Sequence, residues 1–147
     1  MYTIWKRSSP PPMMLNFDAA ERHTCTVKRQ KTSTPLQALV TLNDPQFLEA
    51  ARVLAQRLLN QEDRNAKLIN NTFKAIISRP ARPQEVTLIK QLYAEELADF
   101  IKNPKRAQEL LSVGEYPVDR KLNPAELAAW TVVMSTVMNF DEAIVKR

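Results

Sequence analysis

Ten prolines and one glycine constrain this chain of 147 residues more than any other feature of it. Proline fixes φ and has no amide hydrogen, so it sits comfortably in the first turn of a helix, whereas tight hairpin turns call for glycine. The balance predicts helices opened by proline and few of the turns on which antiparallel sheets depend. Placement sharpens the expectation. Thr34-Pro35, Asp44-Pro45, Asn103-Pro104 and Asn123-Pro124 each set a side-chain oxygen ahead of a proline, where it can accept from the free N–H groups of a first helical turn. Four helix starts follow. A fifth is expected near Pro83, after the Arg79-Pro80-Ala81-Arg82 break, and a sixth near Glu62 or Asp63, whose charges suit the positive end of a helix.

Apolar spacing agrees with these starts. Phe47, Leu48, Ala51, Leu54, Ala55 and Leu58 form one face of a helix running from Pro45 to about Asn60, leaving Glu49, Arg52, Gln56 and Arg57 largely outside it. Leu68, Ile69, Thr72, Phe73, Ile76 and Ile77 make a second stripe, and Ile89, Leu92, Tyr93, Leu97, Phe100 and Ile101 a third. The stretch from Pro124 to about Met138 is apolar nearly all round, which predicts a central helix covered on most sides. Gly114 is expected as a left-handed cap closing the helix before it, Asn139 as another, and Asp141 as an N-terminal cap with Phe140 folded onto the core. The fold class is all-α: an antiparallel bundle of about five to six helices over residues 34–147, preceded by an irregular, extended arm over residues 1–33.

That arm differs from the rest. Ser8-Ser9-Pro10-Pro11-Pro12 predicts an extended polyproline stretch, followed by the apolar cluster Met13, Met14, Leu15 and Phe17. Aromatic residues at the very start read as part of a larger domain continuing upstream, with Tyr2, Ile4, Trp5, Arg7 and Phe17 as its docking residues. No apolar run reaches the roughly 18 residues of a membrane-spanning helix, and no apolar segment of a secretory signal follows Met1.

The net charge of +5 invites a nucleic-acid reading. Residues 1–34 hold six basic side chains against two acidic ones, and the remainder fifteen against fourteen, so the excess belongs to the arm. No nucleic-acid motif accompanies it, and solvated or acid-paired basic groups are the favoured reading. Cys25, the single cysteine, excludes an internal disulfide. With His23 it supplies the only soft metal ligands, two residues apart, too few for a zinc site without carboxylates. A buried, inert thiol is expected, with no metal and no cofactor in this chain. One glycine excludes a glycine-rich phosphate loop and a Gly-x-Ser-x-Gly elbow alike. The dense polar stretch from Asp18 to Asp44 is the one place where a catalytic group could assemble, with Asp18, Arg22, His23, Arg29 and Asp44 as candidates. Its favoured role is structural, the arginines pairing with Asp18 or Asp44.

Several blocks of the chain form a recognisable string: Tyr2-Thr3-Ile4-Trp5-Lys6-Arg7, Ser9-Pro10-Pro11-Pro12, Phe17-Asp18, Cys25-Thr26-Val27-Lys28-Arg29, Thr34-Pro35-Leu36-Gln37-Ala38-Leu39 and Leu42-Asn43-Asp44-Pro45-Gln46-Phe47. The string resembles the C-terminal part of a Planctomycete-specific domain, domain of unknown function 1553. Arg79-Pro80, Gln84-Glu85, Gly114-Glu115, and the run from Asn123-Pro124 to Asp141-Glu142, are similar to the same family's closing segment, so the resemblance extends over essentially the whole chain. It implies an extracytoplasmic setting in a large polypeptide with a cytochrome c module upstream; the haem motif is absent from this chain. It implies no reaction. The first expectation is a non-enzymatic helical module that interacts with upstream domains of its own polypeptide. The alternatives are part of an enzyme acting on an extracellular polysaccharide, and nucleic-acid binding through the arm.

Overall fold

A computed structural model describes residues 11–19, 25, 27–28, 32, 34–61 and 66–144. The described residues contain helices and no strand: α1 (Pro12–Asn16), α2 (Pro35–Asn43), α3 (Pro45–Asn60), α4 (Ala66–Ile77), α5 (Pro83–Lys102), α6 (Pro104–Leu111), α7 (Pro124–Met138) and α8 (Asp141–Ile144). Six of these eight have seven or more residues, and the all-α class holds. The chain divides into two compact units, Met1–Val40 and Thr41–Arg147.

Among the described residues of the first unit, Pro12 opens a helix where a polyproline run was expected to continue. Proline at the first helical position loses no hydrogen bond, and Met14 N donates to Pro11 O to start the turn. α1 ends in paired reverse bonds, Asp18 N to Leu15 O and Ala19 N to Met14 O, with Asp18 in the left-handed region at φ 53°. That is a Schellman closure with aspartate where glycine is commonest. α2 opens with a capping box: Gln37 N donates to Thr34 Oγ1, and Thr34 N to Gln37 Oε1.

The second unit is built around α7. Leu127, Ala128, Ala129, Trp130, Thr131, Val133, Met134, Ser135 and Val137 are all buried, and α7 packs against α3, α4, α5, α6 and α8. Thr131 is fully buried yet satisfied, its hydroxyl donating to Leu127 O one turn back at 2.8 Å, and Thr72 does the same to Leu68 O. Tyr93 of α5 stacks on Trp130 with ring centroids 4.7 Å apart. Asp44 and Asn123 cap as their sequence positions predict, accepting from Gln46 N at 2.8 Å and Ala125 N at 2.9 Å.

Several expectations need correction. Asn103 is the N-cap residue of α6, but its side chain does not cap it; the side-chain amide donates to Asp99 Oδ1, since the residue also terminates α5 and turns back onto that helix. Ile101 lies 64% exposed although Phe100 beside it is buried, because it sits about 100° further round α5, at the edge of the predicted stripe. Gly114 is left-handed, but α6 stops at Leu111 with Ser112 as its C-cap, so the glycine shapes the following loop. Asn139 closes α7 at φ −89°, outside the left-handed region, and Asp141 is the first residue of α8, not its cap. Cys25 is exposed, not buried. The start expected at Glu62 or Asp63 lies outside the described residues.

Candidate functional site

Of the residues singled out from the sequence, Arg22, His23, Arg29, Tyr2, Ile4, Trp5 and Arg7 lie outside the described residues. Those that are described have local partners. Asp18 Oδ2 accepts from both the amide and the hydroxyl of Thr32 at 2.7 Å. Gln37, 2% exposed, donates to Asn16 O at 2.7 Å and to Thr32 Oγ1. The polar block thus stitches the end of α1 to Thr32 and the start of α2. Phe17 is the C-cap residue of α1, and Asp44 is held at the start of α3 as its cap.

The most elaborate polar construction falls where the sequence reading placed solvent. Glu49, Arg52, Gln56 and Asn60 recur every three or four residues along α3, one stripe of that helix, and all four hold residues 113–119. Glu49 Oε1 accepts from the amides of Glu115 and Tyr116. Arg52 is 1% exposed; it donates to Tyr116 O at 2.7 Å, to Val113 O at 3.4 Å and to Gln56 Oε1 at 3.1 Å. Gln56 donates to Pro117 O, and Asn60 to Asp119 Oδ2 at 3.0 Å. The amide of Lys121 and then the side chain of Asn60 pull the Asp119 carboxyl below its ordinary pKa. Gly114, at φ +92°, is packed so closely on Glu49 that an added Cβ would lie 2.5 Å from its Cδ.

This loop forms one wall of an open groove of about 470 Å³. Val118, Leu122 and Leu127 contribute apolar surface, and Gln108 and Ser112 of the α6 end and Arg120 polar lining. The signal in the sequence was the period of the polar residues along α3 together with the lone glycine.

A second cluster joins three elements. Arg79, between α4 and α5, makes a bidentate pair with Glu85, at 2.7 and 2.8 Å, and a single bond through Nε to Glu142 Oε2 at 2.6 Å. Its guanidinium stands 5.6 Å from the centroid of the Phe73 ring, which Phe140 meets edge-on at 5.8 Å. The Arg79 bond holds the Glu85 carboxyl down to about 2 and lowers that of Glu142; the two carboxylates in turn raise Arg79. Among the described residues, no three histidine, cysteine or carboxylate side chains come together as a metal cluster would require, and no helix is long and apolar enough to cross a membrane.

Along α2, Leu36, Leu39 and Leu42 recur every third residue and stay 50%, 56% and 45% exposed. The helix carries no charged residue.

Compared with known proteins, residues 1–93 match the family model described as PSD1, protein of unknown function (DUF1553). The match stops short of the closing segment that the sequence resemblance included. No curated protein and no solved structure matches the chain.

Proposed function

The chain belongs to the PSD1 family of proteins of unknown function (DUF1553), and from that premise we propose that it is a helical interaction module of a larger extracytoplasmic polypeptide. The observation that carries the reading is the leucine stripe of α2. Exposed helices ordinarily bear charge on their outer face, and single exposed leucines are common. Three at helical spacing on an uncharged helix are the pattern of an apolar docking surface. The family resemblance supplies the occupant: a neighbouring domain of the same polypeptide, in a setting where a cytochrome c module lies upstream. Polar groups of the Asp18 to Asp44 stretch that serve as caps and stitches fit a module whose work is holding shape.

The test is association of the 147-residue chain with the separately expressed neighbouring domains, measured by isothermal titration calorimetry beside the Leu39→Asp variant. A charge at the centre of the stripe is expected to weaken binding at least tenfold, about 1.4 kcal/mol, while the helical circular dichroism and melting transition of the free chain stay unchanged. Association that ignores Leu39→Asp removes the stripe as the docking surface. Absence of association at high micromolar concentration removes the module reading itself.

A further inference from the structure

The groove beside the loop from Val113 to Leu122 has a wall that is fixed from behind. Glu49, Arg52 and Gln56 of α3 bond to the main chain of that loop and Asn60 to its Asp119 carboxylate, while the exposed side chain of Val118 lines the groove. The turn that follows is closed twice, Leu122 N donating to Asp119 O and Lys121 N to Asp119 Oδ1. Leu111, at the end of α6, and Leu127, in the first turn of α7, are buried core residues that line the groove as well. A site held in shape before anything enters it loses little freedom on binding.

The charge of the lining has one sign in excess. Asp119, Arg120 and Lys121 bear one negative and two positive side chains. The two oxygens of Asp119 are both engaged, by Lys121 N and by Asn60 Nδ2. Arg120 is exposed and lines the groove, and among the described residues its guanidinium makes no ion pair or hydrogen bond. Apolar walls with one uncommitted cation match a ligand made of an apolar body and a single anionic head. The volume of about 470 Å³ is the share of roughly fifteen water molecules in the liquid and falls within the range of small-molecule pockets, about 300–1,000 Å³. A peptide matches less well. It brings a main-chain donor and acceptor with every residue, and the uncharged polar side chains of the lining are Gln108 and Ser112, the latter already donating to Glu109 O.

We propose that this groove binds a small amphipathic carboxylate, its apolar body against Leu111, Val118, Leu122 and Leu127 and its head at the guanidinium of Arg120. An exposed ion pair adds little by itself, so apolar contact supplies most of the affinity and Arg120 the preference for an anion. The site lies in the second unit alone and does not rest on the α2 reading.

Titration of the full chain, isotope-labelled in its leucine and valine methyl groups, with octanoate and with octanol at neutral pH decides it, both probes kept below the concentration at which they form aggregates. Nuclear magnetic resonance is expected to show saturating shifts at Leu111, Val118, Leu122 and Leu127. Octanoate is expected to bind about threefold more tightly than octanol, the preference that an exposed ion pair sustains. Arg120→Gln, at an exposed turn position, is expected to bring octanoate down to the affinity of octanol and to leave octanol unchanged. Val118→Asp is expected to weaken octanoate at least tenfold, and the milder Val118→Ala, which keeps the main-chain bonds of the loop, about threefold. Shifts that fail to saturate, or that gather at Leu36, Leu39 and Leu42, overturn the site. So does equal affinity for the two probes in the wild type, or a preference that survives Arg120→Gln. Groove shifts that appear on concentrating the free chain would assign the surface to a second copy, and tighter binding of an acetylated, amidated Leu-Glu-Leu-Glu peptide would assign it to a polypeptide; either result overturns the proposal.

Discussion

Arg52 is an expensive way to hold a loop. A buried guanidinium loses its hydration, and here its two terminal nitrogens donate to two main-chain carbonyls and a glutamine while the buried Nε has no hydrogen-bond partner among the described residues, and the carboxylate of Glu49 is no closer than 3.9 Å. Deleting it leaves the Val113 and Tyr116 carbonyls without their donor and opens a void where a side chain 1% exposed had been. Arg52→Ala is expected to lose about 3 kcal/mol in urea denaturation, and Arg52→Met, which refills the volume but not the donors, about half of that. Gly114→Ala attacks the same loop from its other side, forcing a Cβ into Glu49 at a left-handed φ, and is expected to cost about 2 kcal/mol. Because both changes free residues 113–119, the double variant is expected to fall short of their sum by 0.5 kcal/mol or more, the coupling typical of shared contacts. Strict additivity in the four-variant cycle would mean that the arginine and the glycine serve separate purposes. Arg52 and Gln56 could not be read as buried from the sequence, since a polar residue beside an apolar stripe looks the same whether water or a returning loop covers it. Only the regular interval from Glu49 to Asn60 hinted that something polar lies along that side.

Helix starts were the most legible elements because their cause is local. A side-chain oxygen followed by proline needs nothing distant to make a first turn, and Pro35, Pro45, Pro104 and Pro124 all open helices, as does Pro83 after Arg82. Which oxygen actually caps is less local, as Asn103 shows by turning back to Asp99. Alanine substitution separates the cases. Asp44→Ala and Asn123→Ala are each expected to destabilise the fold by about 1 kcal/mol, and Asn103→Ala by no more than about 0.5 kcal/mol, since it loses an exposed bond and no cap. Equal losses at all three would contradict the assignment. The corner of α4 and α5 carries a pH dependence whose sign follows from Glu85. Its carboxyl titrates near 2 when folded against 4.5 as the ordinary value, so the unfolded chain takes up protons first as the solution is acidified. The stabilisation is complete above the unfolded value and drains away between about 5 and 2, an amount on the order of 2 kcal/mol after allowance for solvent around the pair. Glu85→Gln is expected to flatten that part of the stability–pH curve and to lower stability at neutral pH. A curve of unchanged slope below pH 5 would show that other carboxylates set the acid limb.

Across the whole molecule, the sequence pattern located the apolar periodicity that begins after Thr34, yet it could not say where the edges of each apolar face fall. The third stripe illustrates the limit. Ile89 and Phe100 are buried, at 4% and 1% exposure, while Ile101 in the same predicted stripe stands 64% exposed. Phe100 and Ile101 share the last turn of α5, so the difference is one of direction: successive side chains point about 100° apart round a helix, which puts Ile101 at the edge of the stripe while Phe100 faces the core. α7 has little such edge, being packed against five other helices. A position in α7 and one at the edge of α5 therefore respond very unequally to the same kind of truncation. Met134→Ala, at a site with 0% exposure, removes side-chain volume that five surrounding helices cannot all move to refill, and is expected to cost about 3 kcal/mol. Ile101→Ala is expected to stay within about 0.5 kcal/mol of the parent chain. Chemical denaturation followed by far-ultraviolet circular dichroism measures both. A loss at Ile101 approaching that at Met134 would mean that the end of α5 is covered in the folded state, and the boundary of the core would have to be redrawn to include it.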